Sequence, residues 1–337
     1  MDIDAFVATH RASWARLQEL VRRARRPSRL SGGEIDELVA LYQRTATHLS
    51  VVQSRSPDAQ LIAQLSGLTA AARGAITGAR DPSFADVARF LKVTFPAAVY
   101  RGARWWAPVA LANIVVMFAL GLWMGTHPHV ITSLVPSDAV RQLVEHDFKN
   151  YYSAHPATDF AARVWTNNAL VAAGSLALGV FLGLPTLYLL WANCVNVGVS
   201  GGILAANGKL GEFFALILPH GMLELTAVFI AAGTGLRIGW TIIDPGPRKR
   251  ADALAAEGRP ALAVAIGLVG VLLVSGVIEA FVTPSPLPTW ARITIGAIVE
   301  AAFLAYVFGL GRRAARAGET GDVDEWLRAD VTLLSAD

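Results

Sequence analysis

Cysteine is all but missing from this sequence. Cys194 is the only one in 337 residues, so no intramolecular disulfide can form. It sits in an apolar run and reads as a small buried packing residue. Charge is also sparse, at 16% of residues against about one-quarter in an ordinary soluble domain. No apolar run closely follows the basic residues of the N-terminus, so a cleavable signal peptide is not expected and the first membrane helix is expected to direct insertion. The histidines do not fall at zinc-site spacings, and no His-Glu-x-x-His pattern or serine nucleophile with a convincing base stands out. No nucleic-acid motif accompanies the arginines, which excludes nucleic acid as the expected partner.

What the sequence has instead is apolar length. Hydrophobic residues make up 54% of the chain and mean hydropathy is +0.45. The charge is segregated into the first hundred residues and the last thirty or so, around repeated apolar blocks. This predicts an all-α, polytopic helical membrane protein. The expected divisions are a cytoplasmic helical domain over 1–95, a transmembrane domain over 96–311 and a cytoplasmic tail over 312–337.

In the N-terminal region, Phe6, Trp14, Leu17 and Val21 fall near one helical face. Pro27 ends that helix. Ser31 and Glu34 are spaced as a capping box for the next helix. A third helix is expected over 57–77, and Asp81-Pro82-Ser83 starts another toward Val93. Arg22, Arg23, Arg25, Arg26 and Arg29 form a basic patch suited to a solvated face or to the inner leaflet.

About six spans are expected, near 105–124, 164–182, 185–205, 212–238, 261–282 and 291–310. Arg101, Arg104 and Trp105-Trp106 mark a cytoplasmic interface, as do Arg248-Lys249-Arg250 and Arg312-Arg313. Both termini are then cytoplasmic, in a multi-pass protein of the bacterial inner membrane. The insertion over 125–163 is expected to lie on the outer surface as an amphipathic helix built on Val140, Leu143, Val144, Asp147, Phe148 and Tyr151. It also carries His127, His129, Glu145, His146 and His155. The Gly183–Pro185 step reads either as a tight turn or as a break in one helix. Asp324, Glu325, Trp326 and Leu327 belong to a tail that is a short docking helix or a frayed end.

The costly residues are the polar ones inside these spans. His220 and Glu224 stand one turn apart on one helical face. Asn167, Asn168, Asn193, Asn196, Glu279 and Glu300 also lie in apolar runs and are candidate partners. His220 and Glu300 lie toward mid-membrane, whereas Glu279 lies within reach of outer water. Pro219 removes a backbone donor just before His220, and Gly221 leaves room for a backbone or a substrate. Gly179 and Gly183 permit close helix approach and are candidates for packing or dimerisation. Three uses fit this polar set: structural packing, a proton or ion path, or a metal site. No cofactor is expected, with one opening: a divalent metal with His220 and Glu224 as candidate ligands.

A particular order of pieces appears here: Asn167-Asn168 followed by glycines, the turn Ala206-Asn207-Gly208-Lys209-Leu210-Gly211, Pro219-His220-Gly221 with Glu224, and the small-residue run Ala231–Gly235. This arrangement resembles the membrane domain of the stage II sporulation protein M family. The resemblance implies an organising or anchoring component, because the namesake acts at the septal and engulfing membrane with partners that degrade peptidoglycan. It also implies proximity to AAA-type ATPases, RDD membrane proteins and proteins with von Willebrand-like domains. The resulting expectation is a scaffold or anchor for cell-envelope organisation, with lipid, membrane or cell-envelope proteins, an AAA-type ATPase assembly and a second copy of itself as partners. The alternative is a transporter or ion-coupled protein using the polar cluster. An intramembrane metal-dependent hydrolase is a weaker third reading.

Overall fold

The computed structural model describes residues 3–24, 30–55, 58–77, 84–144 and 157–323. Arg25, Arg26, Arg29, Glu145, His146, Asp147, Phe148, Tyr151, His155 and the tail residues Asp324–Leu327 lie outside them. The chain divides into two compact units, one within Met1–Phe84 and the other within Ala85–Glu325.

The first unit holds three helices: α1 (Ile3–Ala24), α2 (Gly32–Arg55) and α3 (Ala59–Thr77). Helix α2 starts at the expected capping box. The Ser31 amide donates to Glu34 Oε2 at 2.9 Å and the Glu34 amide to Ser31 Oγ at 3.4 Å. Asp58 caps α3, accepting the Leu61 amide at 2.7 Å. The apolar faces meet in two groups, Leu17, Leu20, Leu38, Leu41 and Ala72 in one and Trp14, Val52, Leu61 and Leu65 in the other. Burying a leucine such as Leu17 contributes about 1.5–3 kcal/mol.

Around that core the charges pair. Arg16 forks onto Glu37 at 3.0 and 2.7 Å, and Arg23 onto Glu34 at 2.5 and 3.1 Å. Hydrogen bonds from the Ser31 backbone and then Arg23 hold the Glu34 carboxyl below its ordinary range, and Arg16 does the same for Glu37. Trp14 Nε1 donates to His48 Nδ1 at 3.1 Å. His48 also stacks on His10, with centroids 4.0 Å apart. Burial and then the His10 charge lower its pKa.

The second unit is a helical bundle. Its elements are α4 (Phe84–Arg89), α5 (Phe95–Arg101), α6 (Ala103–Thr126), α7 (Pro128–Leu134) and α8 (Ser137–Gln142), followed by α9 (Ala157–Ala177), α10 (Leu184–Ala206), α11 (Leu210–Ile243), α12 (Arg250–Val277), α13 (Thr289–Tyr306) and α14 (Arg312–Arg316). Residues 85–95, grouped above with the soluble helices, belong to this unit, and Phe95 joins its main core with Trp106, Ile230, Val264 and Leu272. Wider π-helical turns occur at Phe90–Thr94, Ile278–Val282 and Val307–Gly311.

Among the described residues, five helices are long and apolar enough to cross a membrane: Ala103–Thr126, Leu184–Ala206, Leu210–Ile243, Arg250–Val282 and Thr289–Arg316. The second expected span, near 164–182, corresponds to α9, which is a helix but is not among those five. Thr158, Asp159, Arg163, Thr166, Asn167 and Asn168 crowd its first half and dilute its apolar character.

Small residues set how these helices run. Gly121 faces Gly198 and Gly125 faces Ala205, so α6 and α10 are parallel. Gly179 abuts Gly235, and Gly183 meets Gly239, where an added Cβ would lie 2.6 Å from the Gly183 amide. The strand of chain ending α9 is therefore parallel to α11. Gly296 abuts Pro219, and Thr226 meets Glu300, which makes α13 parallel to α11 as well. The Gly183 step is a tight turn: Leu182 and Gly183 have φ of 58° and 75°, and α10 begins at Leu184. Leucine in the left-handed region is disfavoured, and Gly183 beside it carries no such penalty.

In the connector, Val135, Val140, Leu143 and Val144 pack on Met124, Ile131 and Ile203. Lys209 donates to the Val144 carbonyl at 2.7 Å. His127 and His129 are exposed. Cys194 is buried and its thiol points at the Asn113 carbonyl at 3.2 Å. At the end of the described chain, Arg259 pairs with Asp322 at 2.6 Å and Val323 enters the core.

Candidate functional site

Helix α11 is one apolar run of 34 residues, about 50 Å at 1.5 Å per residue. Pro219 lies inside it and offers no N–H to the preceding turn. His220 and Glu224 follow, one turn apart. The π-helical turn at Ile278–Val282 brings Glu279 to them from the end of α12. One ligand atom from each of His220, Glu224 and Glu279 lies within 4.8 Å of the others.

The site is largely enclosed. Glu279 is 4% exposed and His220 8%, while Glu224 is half-buried. Glu279, expected from its place in the sequence to reach outer water, is enclosed by the bundle. His220 Nε2 is 3.8 Å from Glu279 Oε1, too long for a hydrogen bond. His220 Nδ1 is 3.3 Å from Thr283 Oγ1, and Ser275 Oγ donates to the His220 carbonyl at 3.0 Å. Among the described residues, no lysine or arginine pairs with Glu224 or Glu279. Arg292 is held nearby without doing so: it donates to the Thr283 carbonyl at 2.5 Å and to Thr289 Oγ1 at 3.2 Å.

The other polar candidates go elsewhere. Glu300 accepts a hydrogen bond from Thr226 at 2.8 Å, and its Oε2 is buried without a partner. Thr226 is two residues from Glu224, about 200° around the helix, so Glu300 approaches a different face from Glu279. Asn167 is exposed and donates to Asn168 at 3.4 Å. Asn193 is half-buried and Asn196 exposed on α10. Among the described residues, no hydrogen bond joins any of the four asparagines to the His–Glu group.

Sequence reasoning missed several parts. Thr283 and Ser275 flank Glu279 four residues away on either side, a spacing that was available as a signal. The close-approach glycine at this site is Gly296, whose α-carbon packs on the Pro219 carbonyl; a Cβ on Gly221 would meet only the side chain of Ile217, at 2.9 Å. A lone glycine in an apolar span carries no mark of its partner.

Chemically, the site offers two carboxylates and an imidazole, a set able to hold a proton or a divalent metal such as zinc. It offers no clear catalytic machinery. Thr283 lies beside the imidazole but is fully buried, with its hydroxyl aimed at the Ile278 carbonyl at 3.4 Å. It is not presented to a substrate.

Comparison with known proteins places this geometry in context. The profile of the family described as Stage II sporulation protein M matches residues 110–284, just over half the chain and the part that contains His220, Glu224 and Glu279. A domain of unknown function, DUF8413, matches residues 4–78. The chain is similar to an uncharacterized protein of Methanocaldococcus jannaschii, with 28% identity over 173 residues, covering 50% of this chain and 91% of that protein. No solved structure matches.

Proposed function

The chain belongs to the Stage II sporulation protein M family, and from that premise we propose that it is a scaffold or anchor in the bacterial cell membrane, organising cell-envelope proteins. The observation carrying this reading is the way the membrane unit is closed. Glycines let helix backbones touch at Gly121–Gly202, Gly179–Gly235, Gly183–Gly239, Gly233–Trp106 and Gly296–Pro219. Such seams favour a rigid body over one whose helices slide. A crevice of about 200 Å³ between α9, α11 and α12 is lined by residues such as Ala169, Ala172, Ala231, Leu268 and Leu272, with no ionisable group.

The alternation of α6, α9, α10, α11, α12 and α13 supports a cytoplasmic side for both termini. The basic groups Arg101, Arg104, Arg248, Lys249, Arg250, Arg312 and Arg313 then fall on that side, as the positive-inside rule requires. The partners in this reading are membrane and cell-envelope proteins, including an AAA-type ATPase assembly, and a second copy of the chain.

Ion-coupled transport is the second reading, favoured by the buried His220, Glu224 and Glu279. One pair of experiments separates the two. The scaffold reading expects crosslinking in native membranes to capture a fixed set of envelope proteins, and partner-free proteoliposomes to show no solute or proton flux. Flux in partner-free liposomes that His220→Ala and Glu224→Gln abolish would overturn it.

A further inference from the structure

We propose that His220, Glu224 and Glu279 form a divalent-cation site, a clasp that ties α11 to the π-helical end of α12. The inference stands independently of the scaffold reading.

Two observations carry it. The first is the direction of the imidazole. The Thr283 oxygen lies 3.4 Å from the Ile278 carbonyl and 3.3 Å from His220 Nδ1, and in the tautomer where the hydroxyl donates to that carbonyl its oxygen accepts the Nδ1 proton. That leaves Nε2 as a bare lone pair facing the Glu279 carboxylate at 3.8 Å. A lone pair facing a carboxylate is repulsive unless something positive lies between them. A neighbour that fixes one ring nitrogen as donor and frees the other is also what orients a metal-binding histidine.

The second observation is the charge balance. Glu279 is 4% exposed and has no hydrogen bond among the described residues, and no lysine or arginine there pairs with it or with Glu224. An uncompensated carboxylate inside a membrane bundle is strongly unfavourable and is neutralised by a proton or by a cation. One divalent cation cancels two carboxylates and uses the imidazole lone pair at the same time.

The ligand chemistry selects among cations. A mixed imidazole and carboxylate set suits zinc or a similar transition ion, whereas magnesium and calcium favour oxygen alone. Tetrahedral zinc with bonds near 2.1 Å spaces its ligand atoms roughly 3.4 Å apart. The three atoms here lie within 4.8 Å of one another, so a side-chain adjustment of about 1 Å, chiefly at half-buried Glu224, brings them to tetrahedral spacing and leaves the fourth position open.

The test uses the full chain, purified in detergent on a tag without histidines and stripped with a chelator. Zinc, manganese, magnesium and calcium are then added separately. The expected result is about one equivalent of zinc per chain with a rise in melting temperature that the chelator reverses, and no comparable rise with magnesium or calcium. His220→Ala and Glu279→Gln should each remove most of the bound zinc, and Thr283→Val should weaken affinity by about tenfold or more. Asn196→Ala, on an exposed position of α10, should change nothing. Equal zinc binding by wild type and the His220 and Glu279 variants, or none by wild type, would overturn the proposal. Should those variants fail to fold, X-ray absorption on the zinc-loaded wild type decides instead. One imidazole nitrogen among oxygen neighbours is expected, and a shell without imidazole or with sulfur sinks the site.

Discussion

The N-terminal helices and the membrane bundle solve the same packing problem by opposite means. In α1–α3 large side chains do the work: Leu17, Leu20, Leu65 and Val52 are fully buried, and the arginines pair with glutamates at the rim. In the bundle, fit comes from the near absence of side chains, at Gly179, Gly202, Gly233, Gly239 and Gly296, where backbone meets backbone. The polar groups reverse as well, half-buried and paired at the rim of the first unit but enclosed at His220 and Glu279 in the second. Water drives apolar side chains together, whereas lipid is as apolar as leucine and gives helices no such push. Close approach and buried polar contacts have to supply what solvent does not.

The sharpest way to break this contrast is to add bulk where it should be intolerable. Gly296→Val places a side chain on the Pro219 carbonyl, and Gly233→Leu sets a Cβ 2.5 Å from the Trp106 α-carbon. Each should cost more than about 4 kcal/mol. The expected readout is loss of monodisperse protein in detergent, with α1–α3 still protected in hydrogen exchange. A next, smaller effect should come from removing bulk in the other unit. Leu17→Ala should cost about 3 kcal/mol, read as faster exchange in α1–α3 with the bundle unchanged. Faster exchange throughout would show that the contrast between the two units is false.

Trp14→Phe keeps an aromatic side chain but loses the donor to His48 and part of the packed indole, for about 1–2 kcal/mol by the same readout. The smallest effect should be a pH response. His48 has a folded pKa below its unfolded value, so its contribution is fully present above about 6.5 and is lost as pH falls from there through the folded value. Protection factors in α1–α3, corrected for the intrinsic pH dependence of exchange, should therefore fall between pH 7 and 5. His48→Gln, which never titrates, should flatten that response.

Much of this was legible in the residues. Apolar runs mark helices α6 and α10–α13 because a bilayer admits little else. The Ser31–Glu34 capping box and the one-turn spacing of His220 and Glu224 are local, and local patterns survive folding. What could not be read is whatever depends on rotation about a helix axis. Glu279 and Glu300 look alike in sequence, yet a π-helical turn swings one onto His220 while the other meets Thr226 on a different face. An extra residue in one turn leaves no trace in hydrophobic periodicity. The asparagines were expected to be partners because their cost in an apolar run is legible, but their direction is not. For α9 the ambiguity lies in composition, since the polar residues of its first half interrupt the apolar run that marks a span.

The pairing of Gly121 with Gly198 also sets a schedule for biogenesis. These residues are far apart in the chain, and the ribosome adds about 5–20 residues per second. The first span therefore waits in the bilayer for on the order of several seconds before its glycine face finds α10. During that interval the face is open to lipid, to the insertion machinery or to another nascent chain. Assembly of this protein is thus vulnerable earliest at the face that later seats Gly198 and Gly202.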